Sequence, residues 1–87
     1  MNLELALKML FTKVRSTREE QEPNQRAFAI TTGISKNHYS RLECHGYNCT
    51  LYSFLKICIH LRLKPWQLLE IALGPVWDEL CEKELKK

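Results

Sequence analysis

The 87-residue sequence predicts an all-α fold: a compact bundle of about five helices with a central helix-turn-helix and a short C-terminal helix or tail. Three observations predict it. Apolar residues recur at steps of three and four, as in Leu3, Leu7, Leu10, Phe11 and Val14, which is one stripe of a helix. No strand-like alternation, repeat or low-complexity stretch breaks that pattern. Finally, Gln25 to Leu42 (QRAFAITTGISKNHYSRL) has the composition of two short crossing helices joined by a tight turn.

The elements follow in order. The first helix should run from about residue 3 to Glu20. Pro23 closes that segment, and Asn24 can cap a second helix over about Gln25 to Thr32. That helix must stop at Gly33, since glycine takes a left-handed conformation without a Cβ clash. Ile34 can then pack back on Phe28 or Ala29, where Ala29 is small enough for close crossing, and Ser35 offers its hydroxyl to the free N–H groups of a third helix over about Lys36 to Cys44. His45 to Cys49 has turn composition. Thr50 caps a fourth helix whose wide apolar face comprises Leu51, Phe54, Leu55, Cys58, Ile59 and Leu61. Pro65 suits the first position of a fifth helix, with Trp66, Leu68, Leu69 and Leu73 directed to the core and Gly74-Pro75 at its end. A last short helix spans about Val76 to Leu85. The expected division is residues 1–74 as the helix-turn-helix domain and 75–87 as a tail that serves dimerisation or folds back on its own monomer.

At 45% apolar and 26% charged residues the chain is globular rather than disordered. Its net charge of +3 is mild, but its placement is uneven: acids cluster at Glu19, Glu20 and Glu22 and from Asp78 to Glu84, leaving the middle basic. No apolar run of about 18 residues is present to span a membrane. The start, MNLELALKMLF, lacks a basic region and small-residue cleavage site, so a cytoplasmic location with reduced thiols is expected. Cys44, His45 and Cys49 have no second ligand pair, so no zinc site is expected from them, and Cys58 and Cys81 belong to a helix face and the tail. No paired nucleophile and base, phosphate-cradling glycine loop or carboxylate pair in a cleft is evident, which argues against an enzyme, a cofactor or a small-molecule ligand.

On the third helix, Ile34, Tyr39 and Leu42 should face inward while Lys36, Asn37, Ser40 and Arg41 project outward, with no acid between Gln25 and Leu42. Such a face fits the major groove of duplex DNA. Arg41 can donate two bonds to guanine O6 and N7, and Asn37 can pair with adenine N6 and N7. Lys36 reaches a guanine or a phosphate. Asn24 and Gln25, at a helix N-terminus, suit a DNA phosphate, with Arg26, Tyr47 and Asn48 flanking the same track. For Asn24 the alternative is a cap alone, and for Tyr47 a packed loop aromatic.

The chain resembles the helix-turn-helix regulators of the Cro and phage-repressor type, the XRE family. The resemblance covers Val14 to Leu69 and rests on NQRAFAITTGIS, YSRLE and LYSFLKICIHLRLKPWQLL. Ala29 followed four positions later by Gly33, and Glu43 at the end of the recognition helix, match the family's pattern. Thr32 and Tyr39 depart from its usual aliphatics, CHGYNC is a residue longer than the commonest loop, and Arg62 replaces a glycine. The resemblance implies a lambda-repressor-like bundle that binds an inverted-repeat operator as a homodimer, with Lys36, Asn37 and Arg41 on base edges. It also implies a partly buried ion pair between Arg18 and Glu43. Length, Asn48 and Thr50 are similar to those of restriction–modification controller proteins. The dimer surface is expected on the fifth helix and tail, where Trp66, Leu69, Trp77 and Leu80 exceed what a small core absorbs. The alternative is a protein-interaction module, an adaptor or antitoxin on the same scaffold.

Overall fold

A computed structural model describes residues 1–46 and 48–86. Six α-helices, α1 (Leu3–Gln21), α2 (Gln25–Thr32), α3 (Lys36–His45), α4 (Leu51–Leu61), α5 (Pro65–Leu73) and α6 (Trp77–Leu85), follow one another, with a 3-10 turn (Gly74–Val76) between the last two. No strand occurs among the described residues.

Local chemistry starts the helices. Asn2, Asn24, Ser35 and Thr50 each accept a hydrogen bond from the backbone N–H three residues on, at 2.8, 3.0, 3.2 and 3.1 Å, and so cap α1 to α4. Pro65 occupies the first turn of α5, where its missing N–H leaves no bond unmade. Gly33 closes α2 at φ +76°, and its N–H donates to the Ile30 carbonyl. Gly46 closes α3 at φ +77°, pressed against α1 so tightly that a Cβ would lie 2.6 Å from the Leu7 carbonyl oxygen. Arg62 ends α4 in the same left-handed region at φ +58°, and Leu63 N–H reaches back to the Cys58 carbonyl at 2.9 Å.

The core lies between α1 and the helix pair α2–α3, closed from the other side by α4 and α5. Leu10, Phe11 and Val14 of α1 join Phe28, Ala29, Ile34, Tyr39, Leu42, Phe54, Ile57, Cys58, Leu61, Leu68 and Ala72 in one cluster. The Phe28 and Tyr39 rings stand 5.3 Å apart, and Phe11 meets Phe54 edge-on at 6.3 Å. Thr32 is buried in this core because its hydroxyl is satisfied locally: it donates to the Ala29 carbonyl at 2.9 Å and accepts the Ile34 N–H at 3.3 Å. The Gln21 side-chain amide donates to the Leu61 carbonyl at 2.9 Å and ties the end of α1 to the end of α4.

Several expectations change. Leu3 is exposed and Leu7 half-buried, while Ala6 is buried on α1. On α4 only Phe54, Ile57, Cys58 and Leu61 are buried, leaving Leu51, Leu55 and Ile59 in solvent. On α5 the core takes Leu68 and Ala72, with Trp66 and Leu69 exposed. These helices are apolar around more of their circumference than the bundle covers. The end of α5 is as expected: the helix stops at Leu73 and Gly74, in a right-handed conformation, opens the 3-10 turn that leads into α6. No helix among the described residues is long and apolar enough to cross a membrane.

Candidate nucleic-acid interface

α3 has two faces with different chemistry. Its inner face holds Tyr39, Leu42 and Glu43, all buried. Its outer face holds Lys36, Asn37 and Arg41, all exposed, with Ser40 half-buried beside them. The turn decides which is which. Gly33 and Ser35 set the direction in which α3 leaves the motif, and Ile34, itself buried, seats its first turn.

Behind α3 lies a buried polar hub. Arg18, only 3% exposed, donates through Nε to Glu43 Oε2 at 2.9 Å and through Nη2 to Glu43 Oε1 at 3.0 Å. Its remaining nitrogen, Nη1, donates to the carbonyls of Glu22 and Pro23 at 3.0 and 2.9 Å. One guanidinium therefore joins the end of α1, the α1–α2 link and α3. Gln25 brings in α2 by donating its amide to Glu43 Oε1 at 2.9 Å. Burial alone would raise the Glu43 carboxyl, but hydrogen bonding by Arg18 and Gln25 outweighs it and holds the group below its ordinary value. Hydrogen bonding to Glu43 raises Arg18 further, against the opposing effect of burial. Among the described residues the buried Tyr39 hydroxyl has no hydrogen bond of full geometry. Burial, reinforced by the nearby Glu43 carboxylate, pushes its pKa well above the ordinary 10.0.

In front of α3, Arg41 leans along its own helix, with Nε 3.4 Å from the Asn37 carbonyl. His38, Arg41 and His45 recur at steps of three and four and, with Leu42 and Asn48, line a dent of about 320 Å³. Asn48 is exposed at φ +64°, a conformation asparagine tolerates. Tyr47 lies outside the described residues. The helical spacing of His38 and His45 with Arg41 is itself legible in the sequence.

The start of α2 differs from expectation. Asn24 spends its side-chain oxygen capping Ala27 N–H. Gln25, expected beside a phosphate, is half-buried and donates to Glu43. Glu22 Oε1 accepts the Asn24 N–H at 3.1 Å and so puts a carboxylate where an anion would approach. Arg26 is exposed.

Of the residues expected at a dimer surface, Trp66, Leu69 and Trp77 are exposed, but Leu80 is not: it is 7% exposed and packed within its own chain. Cys44 is exposed, Cys49 and Cys81 half-buried and Cys58 buried, all as free thiols. Burial pushes the Cys58 thiol up to about 11 and raises Cys49, which makes both poor nucleophiles. No group of three His, Cys, Asp or Glu among the described residues could hold a metal ion.

Compared with protein-family models, curated proteins and solved structures, the chain matches none.

Proposed function

We propose that this protein is a sequence-specific DNA-binding regulator of the Cro and phage-repressor type, with α3 as its recognition helix. The observation that carries the reading is the contrast across α3. An exposed row of Lys36, Asn37 and Arg41 stands on a helix whose back is fixed by Arg18, Glu43 and Gln25. Such a helix can enter the major groove without reorganising. Arg41 and Asn37 have the donor patterns for guanine and adenine edges, Lys36 and Arg26 supply cations for bases or phosphates, and Ser40 and Asn48 supply shorter polar contacts. The N–H groups opening α2, with Asn24, would take a phosphate after Glu22 swings aside.

A homodimer on an inverted repeat would place two copies of α3 in successive major grooves, roughly 34–36 Å apart. Trp66 and Leu69 on α5 supply its exposed apolar area; Leu80 no longer does. The regulator would act in the cytoplasm, without a cofactor and without catalysis.

Salt-titrated binding to random duplex tests the reading. Each phosphate neutralised should contribute about −0.9 to the slope of log K against log salt. Selection from a random-sequence pool should then yield a preferred site, and Arg41→Ala should lose that preference while keeping most of the affinity for random duplex. Absence of binding at low salt would leave the rival reading, a protein-interaction module, which the exposed apolar side chains of α4 favour.

A further inference from the structure

The dent on the outer side of α3 has a wall of one chemical kind. His38, Arg41 and His45 stand along the helix, Asn48 reaches the dent from the following loop, and Leu42 closes it on the core side. Among the described residues no carboxylate lines it. The acid of α3, Glu43, is buried on the opposite face, where Arg18 and Gln25 hold it. Of the two helices packed on α3, α1 brings Arg18, whose charge is engaged by Glu43, and α2 brings the neutral Gln25. Lys36, exposed at the first position of α3, adds a further cation to the same helix.

Such a wall suits a tetrahedral oxyanion. Arg41 carries a permanent charge, and Asn48 offers amide donors. The imidazoles supply a charge that depends on pH. Imidazole is the side chain that turns into a cation as pH falls from about 8 to about 5, and as imidazolium it donates from both ring nitrogens. When neutral it keeps one nitrogen as an acceptor, which repels a phosphate oxygen.

We propose that this dent holds a phosphate group and that its histidines take up a proton as the phosphate enters. The phosphate is a phosphodiester of the DNA backbone beside the groove that α3 occupies. To that extent the inference rests on the DNA-binding reading; the anion chemistry of the dent does not. Arg41 adds its charge to the wall even with its guanidinium on a base edge. A free phosphate ion has the same chemistry, and in the dent it would exclude DNA instead of fixing it. Proton and phosphate strengthen one another equally, so affinity rises as pH falls through the imidazole range.

The experiment has two arms, both on the full chain at constant ionic strength. In the first, binding to random duplex is measured at about pH 8 and about pH 6, a window above the carboxylate range. The wild type should bind roughly fivefold more tightly at the lower pH, the gain from one imidazole whose proton affinity rises about tenfold on binding. Calorimetry in buffers of different ionisation enthalpy should record the proton uptake. Combining His38→Gln with His45→Gln should remove both signals, whereas His60→Gln, at the third histidine of the chain, should remove neither. His45 is exposed and His38 half-buried, so the fold should survive, as thermal melts would verify. Either single variant, which should remove part of the gain, serves if the double one melts early. In the second arm inorganic phosphate replaces DNA, and the imidazole proton resonances of His38 and His45 are followed by NMR. A histidine-dependent pH effect on duplex binding assigns the dent to DNA. A saturable shift of those resonances without that effect assigns it to the free ion. Duplex binding whose pH dependence survives in the double variant, together with unmoved resonances, would overturn the proposal and leave the DNA-binding reading standing. Absence of duplex binding at either pH would sink that reading instead, and the phosphate arm alone would then decide the dent, unmoved resonances overturning it.

Discussion

The two faces of α3 answer to different demands, and comparing them separates what holds this protein together from what it offers outward. The inner face is a closed system. Arg18 makes four hydrogen bonds to three partners, and Glu43 receives three from two side chains. The outer face is open: Lys36 and Asn37 are exposed, and the bond from Arg41 to the Asn37 carbonyl is long and local. Disturbing the back should therefore cost stability, and disturbing the front should cost recognition alone.

The largest effect is expected behind the helix. Arg18→Met leaves Glu43 buried without its main partner and should destabilise the fold by about 3–5 kcal/mol, read by chemical denaturation. A loss near zero would mean that the hub is solvated and does not orient α3. Gly46→Ala comes next, since the added methyl meets the Leu7 carbonyl and the left-handed backbone resists it; a cost on the order of 1–3 kcal/mol is expected in the same measurement. Either variant should weaken DNA binding only in proportion to the unfolded fraction plus any tilt of α3.

The front reverses the pattern. Arg41→Ala should leave stability within about 0.5 kcal/mol. It should also reduce discrimination at one base pair by about 1–3 kcal/mol, measured by competition between the selected site and single-base variants. Equal loss on all sequences would instead place Arg41 on a phosphate.

The hub should also show itself against pH. The Glu43 carboxyl lies below its ordinary 4.5 in the folded chain, so its contribution is complete above that value and is lost as pH falls through the lower folded value. Tyr39 is raised above 10.0, so its contribution is complete below that pH and is lost as pH rises beyond it. Stability followed by circular dichroism should decline at both ends, and Glu43→Gln should flatten the acid limb. The smallest effect belongs to Tyr39→Phe: removing a buried hydroxyl without a full hydrogen bond should change stability by no more than about 1 kcal/mol, in the stabilising direction. A larger loss would reveal a working bond from Tyr39 to Glu43.

Helix starts and stops were legible in the sequence because they rest on local chemistry. Asn24, Ser35 and Thr50 accept bonds from N–H groups three residues away, and Gly33 needs its conformation whatever surrounds it. The inward set Ile34, Tyr39 and Leu42 followed from helical spacing once those ends were placed. Which apolar residues would be covered on α4, α5 and α6 was not legible, since apolar side chains surround α4 and α5 widely and only neighbouring helices choose among them. That choice left Leu51, Ile59 and Trp66 outside and drew Leu80 in. The role of Gln25 was equally out of reach, because whether its amide faces a phosphate or Glu43 depends on where α3 lies. Short-range bonding thus determined the elements from the sequence, while long side chains and surplus apolar surface found their partners only through the tertiary arrangement, where separation along the chain no longer limits contact.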